Sequence, residues 1–432
     1  MAEQPISVRR HVNQDGVMTQ SVAGRARTTA LMTVAGLAFV LSLSGSAIKN
    51  TVQVYFSDIA DGLGVGIGAF AWSTTLFAAG IAVASPVVGY SADRFGGAPV
   101  LVTGTALTGL TFLVCAAAPT TVLFAPVYGV VGSAAFAMLS FVPLGKLADE
   151  LFTGRGEGLA YAVMTNGPAV GFMVLVPLWV WLGTFLSWRS VFALAGIVML
   201  VAMVPLSLYL GRSVRRLQLG IEAGVPAQIG VTMRVAIAVR DRRYVLLVLA
   251  FGGCGVTMAF VDVHMVADMQ MAGVHPTAVS VSIFVLGLLE IVGALVAGRL
   301  CDRGLIKQTL LAGYALRGAA MVIFGFSPTA VSSIAFGALF GASYMATVIA
   351  TTLWIARLLP RGSRATALGL MWTVHGLGAA SSSQLGAIVA ENVRSYSLVA
   401  SVEAAIVFGS MTIVAFLAAP DTGMKSAGSG PR

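Results

Sequence analysis

Charged residues are scarce in this 432-residue chain, at 10% of the sequence, whereas hydrophobic residues make up 57%. Soluble domains carry about 25% charged residues, so this composition excludes an ordinary water-exposed protein. The mean hydropathy is +0.91, and apolar runs of roughly 20 residues, the length that spans a bilayer, recur along the whole chain. The sequence therefore indicates an all-α membrane protein with many spans. Its 50 glycines fit this class, because small residues let membrane helices pack closely.

Cysteine and histidine are also rare, with three and four residues. Cys115, Cys254 and Cys301 lie in or at the end of apolar runs and have no metal-site or disulfide spacing. No nucleophile with an adjacent base and no phosphate-binding loop can be read, so we expect no enzyme, no cofactor and no metal. The net charge of +9 is dispersed over short segments between apolar runs. A nucleic-acid partner would require a basic face or tail, so none is expected.

Hydropathy predicts twelve transmembrane helices. They are expected near residues 30–54, 66–90, 99–119, 121–145, 159–183, 189–211, 244–268, 276–300, 306–326, 329–356, 365–388 and 396–418. The resulting domains are an N-terminal tail (1–28), a six-helix bundle (29–211), a linker (212–243), a second six-helix bundle (244–418) and a C-terminal tail (419–432). The first apolar run has full length and no cleavage site, so it is expected to be retained.

The distribution of basic residues predicts the orientation. With both termini in the cytoplasm, 22 of the 26 Lys and Arg residues lie on the cytoplasmic side, and the other four are Lys49, Arg189, Arg317 and Arg394. Cytoplasmic loops of membrane proteins are enriched in Lys and Arg. We therefore expect cytoplasmic termini and a multi-pass protein of the inner or plasma membrane.

A short charged turn occurs twice, after the second and after the eighth predicted span. The two copies comprise Gly89, Asp93, Arg94 and Gly96, and Gly298, Asp302, Arg303 and Gly304. The glycines allow two helices to approach closely at a charged turn. The copies are 209 residues apart, from 89 to 298, which is close to half the chain. This repeat indicates two related halves.

Two six-helix halves, joined by a basic linker and each marked by this turn, resemble the major facilitator superfamily over nearly the whole chain. The resemblance implies two pseudo-symmetric bundles that rock about a central site and expose it alternately to each side. It also implies that the eight residues of the two turns latch the bundles together in the outward-facing state. The alternative for Asp93 and Arg94 is a turn that only interacts with solvent.

Ionisable residues inside a span are costly and therefore candidates for function. Lys49, towards the outer part of the first span, either faces the cavity as a fixed cation for an anionic substrate or extends to the outer membrane interface. Glu290, in the middle of the eighth span, is a candidate proton carrier, and its alternative is a protonated carboxyl bonded to a neighbouring helix.

Several other polar residues are weaker candidates. Asp262, His264 and Asp268 form either an outer gate or a hydrated helix end, and His264 and Asp268 share a helical face. Arg317 is expected to pack structurally, because the resemblance makes the ninth helix peripheral. The resemblance implies that the fourth, tenth and eleventh helices line the cavity. Tyr128, Tyr344 and His375 on these helices are candidate substrate ligands, and ordinary buried packing is the alternative for each.

Four stretches resemble the monocarboxylate transporter family and its oxalate/formate-exchanger relatives. They are residues 49–56, residues 155–160 leading to Gly167, Gly171 and Pro177, residues 188–192, and residues 364–370. In that family the lysine of the first helix helps to capture a carboxylate, and the eighth helix carries an acidic or amide residue followed four positions later by an arginine. Glu290 occupies the acidic position, but Ala294 stands where the arginine is expected.

The resemblance implies a monomeric secondary transporter that moves a small organic anion with a proton, using Lys49 and Glu290. An efflux antiporter is the alternative, because residues 167–171 resemble the antiporters' Gly-Pro motif. Those antiporters also carry an arginine in the fourth helix, and residues 128–133 contain none. A transport-dead sensor of the same fold ranks lower, because both tails are short and plain.

Overall fold

The computed structural model describes residues 14–152, 156–219, 230–326, 329–393 and 396–419. Regular secondary structure within these ranges is entirely helical. Residues 1–13 and 420–432 of the two predicted tails, together with Arg155 and Arg394, lie outside the described ranges.

Long helices, labelled α1 to α12, follow one another along the described chain. Their bounds are Gln14–Val54, Ile67–Phe95, Gly97–Ala117, Thr121–Leu151, Glu157–Leu182, Trp188–Gln218, Arg242–Met271, Pro276–Asp302, Ile306–Gly325, Ala330–Leu358, Arg364–Val393 and Ser397–Phe416. Helix α1 begins inside the predicted N-terminal tail, and α6 extends into the predicted linker. Residues 220–229 of the linker lie outside the described ranges, and its described part contains a further helix, Val231–Arg240.

Ten of the described helices are long and apolar enough to cross a membrane. Helices α9 and α11 have 20 and 30 residues, but they are more polar. Helix α9 contains Arg317, and α11 contains three serines and a glutamine at residues 381–384. Twelve spans, and the side of the membrane on which the termini lie, therefore stay predictions.

Several long helices contain local irregularities. Wide π turns occur at Val127–Gly132 in α4, Met199–Met203 in α6 and Phe260–His264 in α7. Helix α5 is interrupted at Asn166, between Glu157–Thr165 and Gly167–Leu182. A π turn inserts an extra residue and redirects the side chains around it, and such turns often occur at functional sites.

The helices of each half pack mainly with one another. In the first half, α1 packs along α5, α3 against α6 and α2 against α4, and we call α1–α6 the N bundle. In the second half, α10 packs against α8 and α9, α7 against α11, and α9 against α12, and we call α7–α12 the C bundle. The repeat of the charged turn therefore corresponds to two packed units.

Contacts between the bundles are concentrated towards one end of the molecule. We call this the closed end, where α2 ends at Phe95 and α8 ends at Asp302; the opposite end is the open end. The half of α2 nearer the closed end lies along α11. Helix α8 packs against the first segment of α5, Glu157–Thr165, but much less against the second segment, Gly167–Leu182. A cleft therefore separates the bundles towards the open end.

Candidate functional site

Lys49 and Asp262 face each other across this cleft. The Nζ atom of Lys49 in α1 lies 3.9 Å from Oδ2 of Asp262 in α7, and each side chain is 51% exposed. The pair joins the N bundle to the C bundle, and a substrate contact by Lys49 stays a prediction. The arrangement leaves both charges accessible to a solute that enters from the open end.

Glu290 lies near this pair on α8. Its side chain is half-buried, and Asp262, Arg317 and Lys49 are all within electrostatic range of its carboxyl group. Charges in a partly buried setting act over longer distances than in bulk water. Two carboxyl groups and two cations therefore form one electrostatic cluster, which we call the central cluster (Lys49, Asp262, Glu290 and Arg317).

Arg317 is the fully buried member of the central cluster. It donates to the carbonyl oxygens of Ser343, at 3.3 Å, and Tyr344, at 2.9 Å, and to Sγ of Cys254 at 2.7 Å. Its guanidinium also lies over the ring of Phe340, 5.0 Å from the centroid. These contacts match the expected structural packing and hold a fixed positive charge behind the cleft.

Tyr344 packs against Arg317 and accepts a hydrogen bond from it through its backbone carbonyl oxygen. Its ring centroid is 6.0 Å from the Arg317 guanidinium carbon, and Asp262 and Glu290 are within electrostatic range of its hydroxyl. Of the aromatic candidates, Tyr344 is therefore the one next to the central cluster.

Tyr128 and His375 are packed inside their bundles. Tyr128 is 2% exposed and stacks on Phe77, with ring centroids 4.6 Å apart. The Nε2 atom of His375 lies 3.1 Å from Sδ of Met258, and its ring is 4.7 Å from that of Trp372. Substrate contacts by either residue stay predictions, since in this conformation their neighbours are core side chains.

The outer residues of α7 point in different directions. His264 is buried and its Nε2 lies 3.1 Å from the carbonyl oxygen of Ser383 in α11. Asp268 is also buried and lies next to the backbone of Tyr396. Among the described residues, no hydrogen bond or ion pair joins His264 to Asp268. These two residues pack the C bundle, whereas Asp262 faces the cleft.

Sequence reasoning did not identify Glu403, another buried carboxyl of the C bundle. It lies in α12, is 3% exposed, and accepts a 2.5 Å hydrogen bond from Ser382 of α11. An acidic residue in the middle of an apolar run is the same signal that identified Glu290, so the sequence contained it. Its contacts place Glu403 between two helices of one bundle.

Asp93 joins the two bundles at the closed end. Its carboxylate accepts hydrogen bonds from the backbone N–H groups of Ala365, at 3.2 Å, and Thr366, at 2.8 Å, and from the Thr366 hydroxyl at 2.8 Å. The first amides of a helix have no partner within it and form its positive end. The N bundle therefore caps α11 of the C bundle.

Asp302 makes the corresponding contact in the reverse direction. It accepts from the backbone N–H groups of Gly158, at 2.7 Å, and Leu159, at 3.0 Å, at the start of α5. The C bundle thus caps a helix of the N bundle. The repeated turn is two reciprocal caps across the bundle interface.

The first glycine of each turn permits this approach. A Cβ atom on Gly89 would lie 2.2 Å from the carbonyl oxygen of Ala365, and one on Gly298 would lie 2.6 Å from that of Gly158. No side chain fits at these distances. The last glycine of each turn, Gly96 or Gly304, has a positive φ of 93° or 84°.

The arginines of the two turns play a smaller part in these contacts. Arg94 and Arg303 are exposed, and Arg94 contacts Tyr90 and Phe95 of its own helix. The carboxylate of Asp93 instead pairs with Lys146, at 3.3 Å, and with Arg234 of the linker helix, at 3.7 Å. Sequence reasoning did not identify these two partners.

Two more ion pairs connect the bundles at the closed end. Arg357 lies 3.0 Å from Glu157, and Arg364 pairs with Asp149. In each pair the cation belongs to the C bundle and the carboxylate to the N bundle. The two Asp caps and these ion pairs, including those of Asp93 with Lys146 and Arg234, form what we call the latch.

Comparisons with known proteins agree with this architecture. The sequence profile described as Major Facilitator Superfamily matches residues 34–383. The uncharacterized MFS-type transporter YcxA of Bacillus subtilis is 24% identical over 389 residues, covering 87% of this chain and 92% of its own length. The chloramphenicol resistance protein of Streptomyces lividans is 28% identical over 266 residues, covering 59% of this chain and 63% of its own length.

Solved structures show the same fold at low sequence identity. FucP in the outward conformation superposes with a TM-score of 0.67 at 12% identity and covers 90% of this chain and 99% of its own. The proton:xylose symporter XylE superposes with a TM-score of 0.70 at 11% identity and covers 89% and 95%. The reciprocal caps, the two packed halves and the match over residues 34–383 lead to one conclusion: this chain is a transporter of the Major Facilitator Superfamily.

Proposed function

We propose that this protein is a secondary transporter of the cell membrane that moves a small monocarboxylate together with one proton by alternating access. The closed end, with its excess of Lys and Arg, faces the cytoplasm, and α9 and α11 complete twelve spans. The protein acts as a monomer with tails and linker in the cytoplasm.

The charge balance of the central cluster carries this proposal. Lys49 and Arg317 contribute two positive charges, and Asp262 and Glu290 contribute two negative charges when both are ionised. A monocarboxylate entering the cleft adds one negative charge, which is costly once the bundles close over the site and exclude water. A proton on Glu290 cancels it. Loading one anion and one proton therefore leaves the cluster neutral, as it is when empty.

Lys49 and Glu290 have separate tasks in this mechanism. Lys49 is half-exposed in the cleft, so its ammonium group donates to the substrate carboxylate. Glu290, in the middle of α8, takes the proton. The loaded and empty clusters are neutral and can be enclosed when the bundles rock, whereas loading of the anion or the proton alone leaves a net charge.

The latch controls the conformational change of the transport cycle. Its capping bonds and ion pairs stabilise the state that is closed towards the cytoplasm. Because both Asp caps are made to the other bundle, separating the bundles breaks them together. Release of substrate inside requires this separation, and closure of the cleft around neutral cargo offsets the lost contacts.

The monocarboxylate branch is supported by Lys49 and limited by Ala294. Ala294 is fully buried, so an arginine could not simply be accommodated there as the anion anchor. Arg317, reaching inwards from α9, supplies a positive charge to the same region from behind. The anion would therefore be attracted by two cations but contacted directly by Lys49 alone.

Efflux by proton antiport is the second candidate, favoured by the similarity to the chloramphenicol resistance protein. The Gly-Pro segment of α5 also packs tightly, since a Cβ on Gly167 would lie 2.6 Å from the Leu43 nitrogen of α1. An antiporter would bind neutral or cationic compounds without any need for Lys49. Replacement of Lys49 therefore discriminates between the two candidates.

Replacing Lys49 with Ala should weaken the binding of monocarboxylates about 10- to 100-fold, because a hydrogen bond to a charged group contributes roughly 1.5–3 kcal/mol. Thermal stabilisation of the purified protein by acetate, pyruvate and benzoate measures this effect. Lys49→Arg, which keeps the charge, should retain most of the affinity. Equal stabilisation of wild type and Lys49→Ala by these anions would refute the proposed function, and stabilisation by chloramphenicol alone would favour efflux.

A further inference from the structure

The Lys49–Asp262 pair differs from the ion pairs of the latch in its position and exposure. It is half-exposed on both sides at the open end. The carboxylates of Glu157 and Asp149 at the closed end are at most 9% exposed. A half-exposed pair at this distance contributes little to stability. It is therefore poorly suited to holding the bundles together, and its presence at the cleft requires another reason.

Asp262 lies where α7 departs from a regular α-helix. The residue lies in the π turn Phe260–His264. Phe260 and His264 are buried in the C bundle, whereas Asp262 is exposed. Among the described residues, Lys49 is its partner within ion-pair distance. A carboxylate of this turn therefore lies next to the same ammonium group that would receive the substrate.

We propose that Asp262 is the resident counter-ion of Lys49, which the substrate carboxylate displaces, and that it makes proton coupling obligatory. The inference rests on the proposed function and assigns a specificity-determining role at the same site. In the empty transporter Asp262 occupies the anion position of Lys49. An incoming monocarboxylate replaces it, and the exposed position leaves the Asp262 carboxylate free to remain hydrated.

The charges that face Asp262 explain the coupling. Lys49 lies opposite on α1, and Glu290 on α8 and Arg317 on α9 are within electrostatic range of one another. With Asp262 present, the cluster is neutral when empty, so an anion requires a proton on Glu290. Without Asp262, the cluster carries one positive charge, and a monocarboxylate alone neutralises it. Removal of this carboxylate therefore abolishes the need for the proton.

The experiment compares wild type with Asp262→Asn and Asp262→Glu in the full-length protein. Thermal stabilisation at pH 8 by acetate, pyruvate and benzoate measures anion binding, and the tightest binder is then used for uptake into proteoliposomes containing a pH-sensitive dye. Asp262→Asn should bind that anion about 10-fold more tightly and take it up without proton flux, so that uptake becomes sensitive to membrane potential. Asp262→Glu, which keeps the charge, should remain coupled to protons.

Each outcome bears on the inference. If Asp262→Asn matches wild type in affinity and in protons moved per anion, Asp262 is not the resident counter-ion, although the proposed function stands. If Asp262→Asn binds no panel anion while wild type does, Asp262 contacts the cargo directly and the displacement role is wrong. If no panel anion binds to wild type or to Asp262→Asn, the proposed function and this inference both fail.

Discussion

Glu290→Gln should abolish proton-driven accumulation of the monocarboxylate while leaving exchange of internal for external substrate intact. Glutamine keeps the size of the side chain and resembles the protonated carboxyl group, so the anion-loaded cluster remains neutral without a proton. The accumulation ratio in proteoliposomes with an imposed pH gradient should fall to about one. Exchange, measured as counterflow of labelled substrate, should become independent of pH, because no group of the cluster has to gain or lose a proton.

Glu403→Gln is the matched control for this substitution. Glu403 is likewise an acidic residue within a long helix of the C bundle, but it is bonded to Ser382 between α11 and α12 and is not a member of the central cluster. The amide oxygen can accept the same hydrogen bond, so this variant should still accumulate substrate. Accumulation against a gradient by Glu290→Gln would show that Glu290 is not the coupling site. Loss of accumulation in Glu403→Gln would extend coupling beyond the cleft.

Asp93→Asn should open the closed end. The Asp93 side chain is fully buried and accepts from three donors of α11 while pairing with Lys146 and Arg234. Removing one partner of a buried ion pair costs about 3–5 kcal/mol, which corresponds to at least about a 100-fold shift in a two-state equilibrium. The Asn amide oxygen can still accept from the start of α11, so the loss comes mainly from Lys146 and Arg234, which are left without the carboxylate. Most molecules should therefore leave the latched state.

Spin labels on exposed positions of the two bundles measure the opening. Arg216 at the end of α6 and Leu305 at the start of α9 are exposed and lie outside the latch. Their distance distribution should move to longer values in Asp93→Asn. Arg94→Gln is the matched control, because the exposed Arg94 contacts only its own helix in the described structure. Superimposable distributions for wild type and Asp93→Asn would show that the charge of Asp93 does not hold the bundles together.

The latch was predictable in part. The repeated turn contains the glycines and aspartates that make the reciprocal caps, and their types and spacing can be read from the chain. Lys146 and Arg234 could not be assigned, because they reach Asp93 only after α4 and the linker helix have packed around the closed end. The sequence-based prediction instead included Arg94, the residue after Asp93, although the structure leaves Arg94 exposed.

The central cluster was also predictable only in part. Lys49 and Glu290 are ionisable residues in apolar runs, so their cost in a membrane is visible in the sequence. The position of Asp262 beside Lys49 depends on how α1 and α7 of different bundles are placed, which the sequence does not contain. Arg317 was correctly expected to be packed, but its long side chain brings a charge from α9 towards the cleft. That contribution requires the packing of three helices to be known.

The number of protons moved per monocarboxylate tests the central claim most directly. Wild-type protein in proteoliposomes is given the tightest-binding anion of the panel, and internal pH and uptake of labelled anion are recorded together with and without a potassium diffusion potential. A neutral cluster in both the empty and the loaded states predicts one proton per anion and uptake that does not respond to the membrane potential. Anion uptake without proton flux, or uptake driven by the potential, would contradict the account.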